Sequence, residues 1–112
     1  MMEFPTRTLD NGVQVIRPVQ RLNMVAAPRL SAAVESLITA GHARIVIDLS
    51  GIEFIDSSGL GALVSCLKKA RQAGGDLRIS GPTAHVQTIL KLTNLDRVLQ
   101  PVPTAEIAAA AF

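Results

Sequence analysis

Two adjacent serines beside a carboxylate, Asp56-Ser57-Ser58, stand inside the stretch IEFIDSSGLGALV that covers residues 52–64. A serine hydroxyl can cap a helix, act as a nucleophile or accept a phosphate, and its surroundings decide which. A strained nucleophile elbow needs Gly-x-Ser-x-Gly, but Ile55 stands two residues before Ser57 and Asp56 two before Ser58. His42, near a helix end, and His85, in the first turn of a later helix, have no motif that pairs them with serine. Both read as surface or cap residues. No Cys or His pair has metal-ligand spacing, so no metal is expected. Gly59-Leu60-Gly61 is not a phosphate-binding loop, and Gly61 reads as a point of close helix packing. An aspartate phosphoacceptor at a strand end would call for an early acidic pair and a late lysine, and neither is evident. What remains is one cap and one spare hydroxyl. Ser58, just before Gly59, is the better-placed cap. Ser57 is then left exposed at the positive end of a helix, where a phosphate would meet free backbone N–H groups.

The elements that position this pair follow from pattern. Asp10-Asn11-Gly12 tolerates positive φ between the β-compatible segments 4–9 and 13–19, which predicts a hairpin. Pro18 brings its second strand near its end. Residues 20–27 read as a connection. Pro28 opens a helix with Leu30, Val34, Leu37 and Ile38 on one side, and Gly41 closes it. RIVIDL, residues 44–49, is apolar almost throughout and suits a central strand covered on both faces. Residues 52–55 continue as buried strand and its exit. A helix buries Leu60, Leu63, Val64 and Leu67 and stops at Gly74-Gly75. A strand at 77–80, a helix carrying Val86, Ile89 and Leu90, a short strand at 98–102 interrupted by Pro101, and a final alanine-rich helix complete the order. Strands alternating with helices imply parallel pairing and right-handed crossovers.

Composition narrows the partners. The chain has 112 residues, enough for one core but not two, and is expected to be one domain, 1–112. With 48% hydrophobic and 18% charged residues it should fold. The net charge is only +2, and the cluster Lys68, Lys69 and Arg71 suits a solvated helix end. With no Trp or Tyr and three Phe there is no stacking platform, so nucleic acid is not an expected partner. No apolar run is long enough to cross a bilayer, and Met1 to Thr8 lacks the apolar stretch of a signal peptide. One cysteine, Cys66, cannot form an internal disulfide. These features point to the cytoplasm, with no membrane insertion.

IDLSGIEFIDSSGLGALV followed by AGGDLRISG resembles the STAS domain, in particular the free-standing anti-sigma-factor antagonists of bacteria. RLNMVAAPRL and ILKLTNLDRVL resemble the flanking segments of that family, so the likeness spans most of the chain. The resemblance implies an α/β fold: a STAS-type βα superhelix with a mixed, mostly parallel sheet, an N-terminal β-hairpin and about four helices. It implies that Ser57 is the phosphorylation switch and that Asn23, Asp56, Ser57, Ser58, Gly59 and Leu60 form the partner-binding set. The implied partners are an anti-sigma factor that is itself a serine kinase of the GHKL type, and a PP2C-type phosphatase. The chain would be substrate and binding partner, not an enzyme, with no cofactor. Two positions depart from the family: Gln20 stands where it often has Gly, and Asn23 where it has Asp. A STAS accessory subunit of a transporter complex, without a switch, is the alternative, and direct nucleotide binding a third reading.

Overall fold

A computed structural model describes residues 4–112, so the reading of Met1 to Thr8 as no signal peptide falls partly outside the described residues. The predicted hairpin forms: β1 (Thr6–Thr8) pairs antiparallel with β2 (Gln14–Ile16), placing Arg7 opposite Val15. Its turn uses Gly12 at φ 85°, and Asn11 Oδ1 accepts the Val13 N–H at 3.3 Å. β4 (Arg44–Asp48) lies between β2 and β6 (Asp76–Ser80), parallel to both, in the sheet order β1-β2-β4-β6. Alternation along β4 sends Ile45 and Ile47 into the larger apolar cluster and Val46 into a smaller one on the other face. That is why RIVID is apolar at successive positions.

The larger cluster is roofed by α1 (Ala26–Thr39) and α2 (Ser57–Gln72), which supply Leu30, Val34, Leu60, Leu63 and Leu67. The smaller one is closed by α5 (Ala105–Ala110), whose Ala105, Ala108 and Ala109 pack on Val13, Val15 and Val46. The expected inner stripe on α2 is therefore core at Leu60, Leu63 and Leu67, while Val64 is half-buried.

Three details differ from the sequence reading. Residues 20–22, read as connection, form β3 (Gln20–Leu22), which pairs parallel with β5 (Ile52–Ile55) in a separate two-stranded sheet. Three residues of mixed polarity carry too little pattern to signal a strand; β5 supplies the partner that makes them one. The chain leaves the main sheet after β4, where the Asp48 carboxylate accepts the Ser50 N–H at 2.9 Å and turns the backbone toward β5. α1 begins two residues before Pro28, which sits in the first turn, where its missing N–H has no helical acceptor to lose. The expected strand at 98–102 is mostly helix: α3 (Ala84–Leu92) is followed by α4 (Asp96–Leu99), and only Val102 bridges to Ser80. Gln100 at φ 46° and Pro101, which lacks an N–H, prevent a longer pairing. Five helices result among the described residues, two of them short.

Candidate functional site

The site is built where two helices start side by side. β3 and β5 run parallel and end together, and each leads into a helix. Asp56, extended at φ −110° and ψ −175°, is the N-cap of α2, and its Oδ1 accepts the Gly59 N–H at 2.9 Å. Its Oδ2 accepts the Met24 N–H at 3.1 Å, reaching across to the start of α1. Asn23 performs the matching task on α1, with Oδ1 accepting the Val25 and Ala26 N–H groups at 3.0 and 3.1 Å. The Asp56 N–H in turn donates to the Leu22 carbonyl at 3.3 Å. Two helix starts are thus held together by one carboxylate.

This corrects the assignment of the cap to Ser58. The carboxylate one residue before the serines takes that role, so both Ser57 and Ser58 lie inside the first turn of α2. Both are exposed, and neither hydroxyl has an intramolecular hydrogen-bond partner among the described residues. Gly59 is buried because a Cβ there would lie 2.1 Å from the Leu22 carbonyl oxygen and 2.9 Å from Ile55 Cγ1. Its bareness lets α2 approach β3. Leu60 is also buried, at 9% exposure, so it and Gly59 shape the site from below while the serines face outward. The assignment of Gly61 to close packing is also overturned. It is exposed, and a Cβ there would meet nothing within 4 Å.

Electrostatically the spot is open to an anion. The first turns of α1 and α2 contain no acidic residue, and both helices direct their positive ends to the same region. Asp56 is the acidic group built into the junction. Phosphate on Ser57 would therefore face the N-terminal partial charge of two helices against one neighbouring carboxylate.

Sequence reasoning missed the apolar part of this surface. Met24 and Val25, at the turn into α1, are 68% and 61% exposed. They looked like ordinary members of a connection; the bond from the Met24 N–H to Asp56 ties this turn to the start of α2. Nearby on β5, Phe54 is partly exposed, with the Arg21 guanidinium 5.9 Å from its ring centre and His85 stacked on it at 6.1 Å. His85 is thus a packing neighbour of Phe54 on the surface. His42 is exposed just beyond α1. Cys66 is buried in α2, and burial pushes its thiol above the ordinary range, which leaves it a poor nucleophile. Among the described residues no three His, Cys, Asp or Glu side chains converge as a metal site, and no helix is long and apolar enough to cross a membrane.

Comparison with known proteins agrees with this arrangement. The STAS domain family matches residues 5–108. A Thermotoga maritima protein named as a candidate anti-sigma factor antagonist is 34% identical over 98 residues, which is 87% of this chain and 86% of that one. A crystal structure of a Thermotoga maritima protein with the same description superposes with a TM-score of 0.87 at 32% identity, covering 96% of this chain and 92% of the other. An anti-sigma factor antagonist from Mycobacterium paratuberculosis gives a TM-score of 0.84 at 28% identity, covering 97% and 92%. This domain of mostly parallel strands, with two helix starts clasped at an exposed serine pair and matched over nearly its whole length, belongs to the STAS domain family.

Proposed function

We propose that this chain, as one STAS domain over 1–112, is a bacterial anti-sigma-factor antagonist controlled by phosphorylation of Ser57. In its unphosphorylated form it binds an anti-sigma factor that is also a GHKL-type serine kinase, and so frees the sigma factor or similar regulator. The kinase phosphorylates Ser57 to end the complex, and a PP2C-type phosphatase restores the binding form. The chain contributes a hydroxyl and a surface, and the catalysis belongs to its cytoplasmic partners.

The observation that carries the reading is the exposure of the serine pair on a fixed helix start, with Asp56 already occupied as cap, and the likeness to the STAS family selects Ser57, the first of the two. A hydroxyl with no task in the fold is available for modification. Phosphate adds a charge of about −1.5 to −2, and the two helix N-termini can accept it without rebuilding the domain. Release then comes from charge, bulk and desolvation at the partner surface, where Met24 and Val25 supply apolar contact. Asn23 keeps the hydrogen-bonding task of an aspartate cap while lacking its charge, so the kinase of this system engages a neutral residue there.

The test uses the GHKL-type serine kinases encoded in the same genome, each purified and supplied with Mg-ATP. One of them should place phosphate on Ser57, located by mass spectrometry, and Ser57→Ala should bind that kinase in the presence of ADP but resist release. Ser57→Asp should bind more weakly with unchanged melting. Phosphate on Ser58 alone would move the switch, and tight binding by the Ser57-phosphorylated protein would refute it.

A further inference from the structure

Gly61 has no role inside the fold that requires glycine. It sits within a helix of 16 residues, is exposed, lies outside the positive-φ region, and leaves open space where a Cβ would be. An exposed glycine in a helix interior weakens it relative to alanine. Gly59, two residues earlier, is fully accounted for by its approach to Leu22. Gly61 is not.

Its position supplies a reason. Gly61 lies four residues after Ser57 and three after Ser58, so all three share one flank of α2. Helical side chains lean toward the N-terminus and cover the preceding turn. A side chain at position 61 would therefore lie over the turn that carries the serines. Ser57 belongs to a regular helix whose start is tied to β3 and α1 through Asp56, so it cannot swing out to meet a reagent. An enzyme acting on it must come down onto the helix.

We propose that Gly61 is a clearance residue that leaves the flank beside Ser57 bare, so that the active site of an ATP-dependent protein kinase can reach the seryl oxygen. The inference rests on the reading of Ser57 as phosphoacceptor. In the reaction the Ser57 Oγ–Pγ bond forms and the bond from Pγ to the β-phosphate oxygen breaks. ADP departs with that electron pair, and the seryl proton passes to a base of the kinase. The geometric demand is for in-line approach, and a displacement of about 1 Å can cost about a hundredfold in rate.

The experiment compares wild type with Gly61→Ala, Gly61→Gln and, as an exposed control further along α2, Lys68→Gln. Thermal melting is measured first; both Gly61 variants should melt at or above the wild-type temperature. Transfer from Mg-ATP to Ser57 is then followed with the same kinase panel. Gly61→Gln should lower kcat/KM about a hundredfold, Gly61→Ala should fall between it and wild type, and Lys68→Gln should match wild type. Wild-type kinetics in Gly61→Gln would overturn the inference while leaving Ser57 as acceptor. Lowered melting in both variants would also overturn it by making Gly61 a structural residue. A wild type that no kinase of the panel phosphorylates would remove the Ser57 reading itself, and the inference with it.

Discussion

The Asp56 carboxylate accepts the Met24 N–H at 3.1 Å across the gap between two helix starts. Its other oxygen holds the Gly59 N–H of its own helix, so one side chain caps α2 and fixes the beginning of α1. The exposed serines are consequently presented by a framework with two anchors, and their hydroxyls are left free of structural duty.

This division of labour can be measured. Asp56→Ala should lose about 1–2 kcal/mol of stability, because a cap and a second backbone bond disappear together. Asp56→Asn, with one acceptor oxygen instead of two, should lose less. Ser58→Ala should stay within about 0.5 kcal/mol of wild type, as for an exposed position with no cap to lose. Urea denaturation of the three variants checks the order; a larger loss for Ser58→Ala than for Asp56→Ala would return the cap to Ser58.

Gly59 should tolerate no side chain. A Cβ 2.1 Å from the Leu22 carbonyl oxygen must push α2 away from β3, at a cost of about 1–3 kcal/mol or more. The neighbouring backbone is rigid on both sides, since Leu22 is in a strand and Gly59 in a helix. The denaturation midpoint of Gly59→Ala should fall clearly, and an unchanged midpoint would mean that the end of β3 yields at little cost.

Gln20 is one of the non-glycine residues with positive φ, at 70°, on the exposed end of β3. The left-handed region disfavours a side chain and accommodates glycine, the residue that the resembling family often carries at this point. Gln20→Gly should therefore stabilise the domain by about 0.5–1 kcal/mol, since relief of the backbone exceeds the added entropy of the unfolded chain. The Gln20 N–H bond to the Gly51 carbonyl, 2.8 Å, survives the change. A lowered melting temperature would show that the glutamine side chain stabilises this turn more than its backbone strains it.

Much of the architecture was legible because it rests on local pattern. Asp10-Asn11-Gly12 between β-compatible segments specified the hairpin, and RIVID, apolar at consecutive positions, specified a strand with both faces covered. The spacing of Leu60, Leu63 and Leu67 specified the inner face of α2. The exposure of Ser57 could be anticipated from its place at a helix start. Each of these depends on residues within a few positions of one another.

What the tertiary structure decided depends on partners distant in sequence. Gln20–Leu22 is a strand because β5, some thirty positions on, lies beside it. Gly59 and Gly61 look alike in Gly-Leu-Gly, yet one faces the Leu22 carbonyl and the other faces solvent, a difference set by how α2 settles on β3. Ser58 looked like the cap because local rules favour a serine before glycine, but Asp56 takes it through a carboxylate placed to serve both helices. Local sequence could locate the serine pair; only the packing of two helix starts against each other could determine which neighbour holds the fold and which hydroxyls remain outside it.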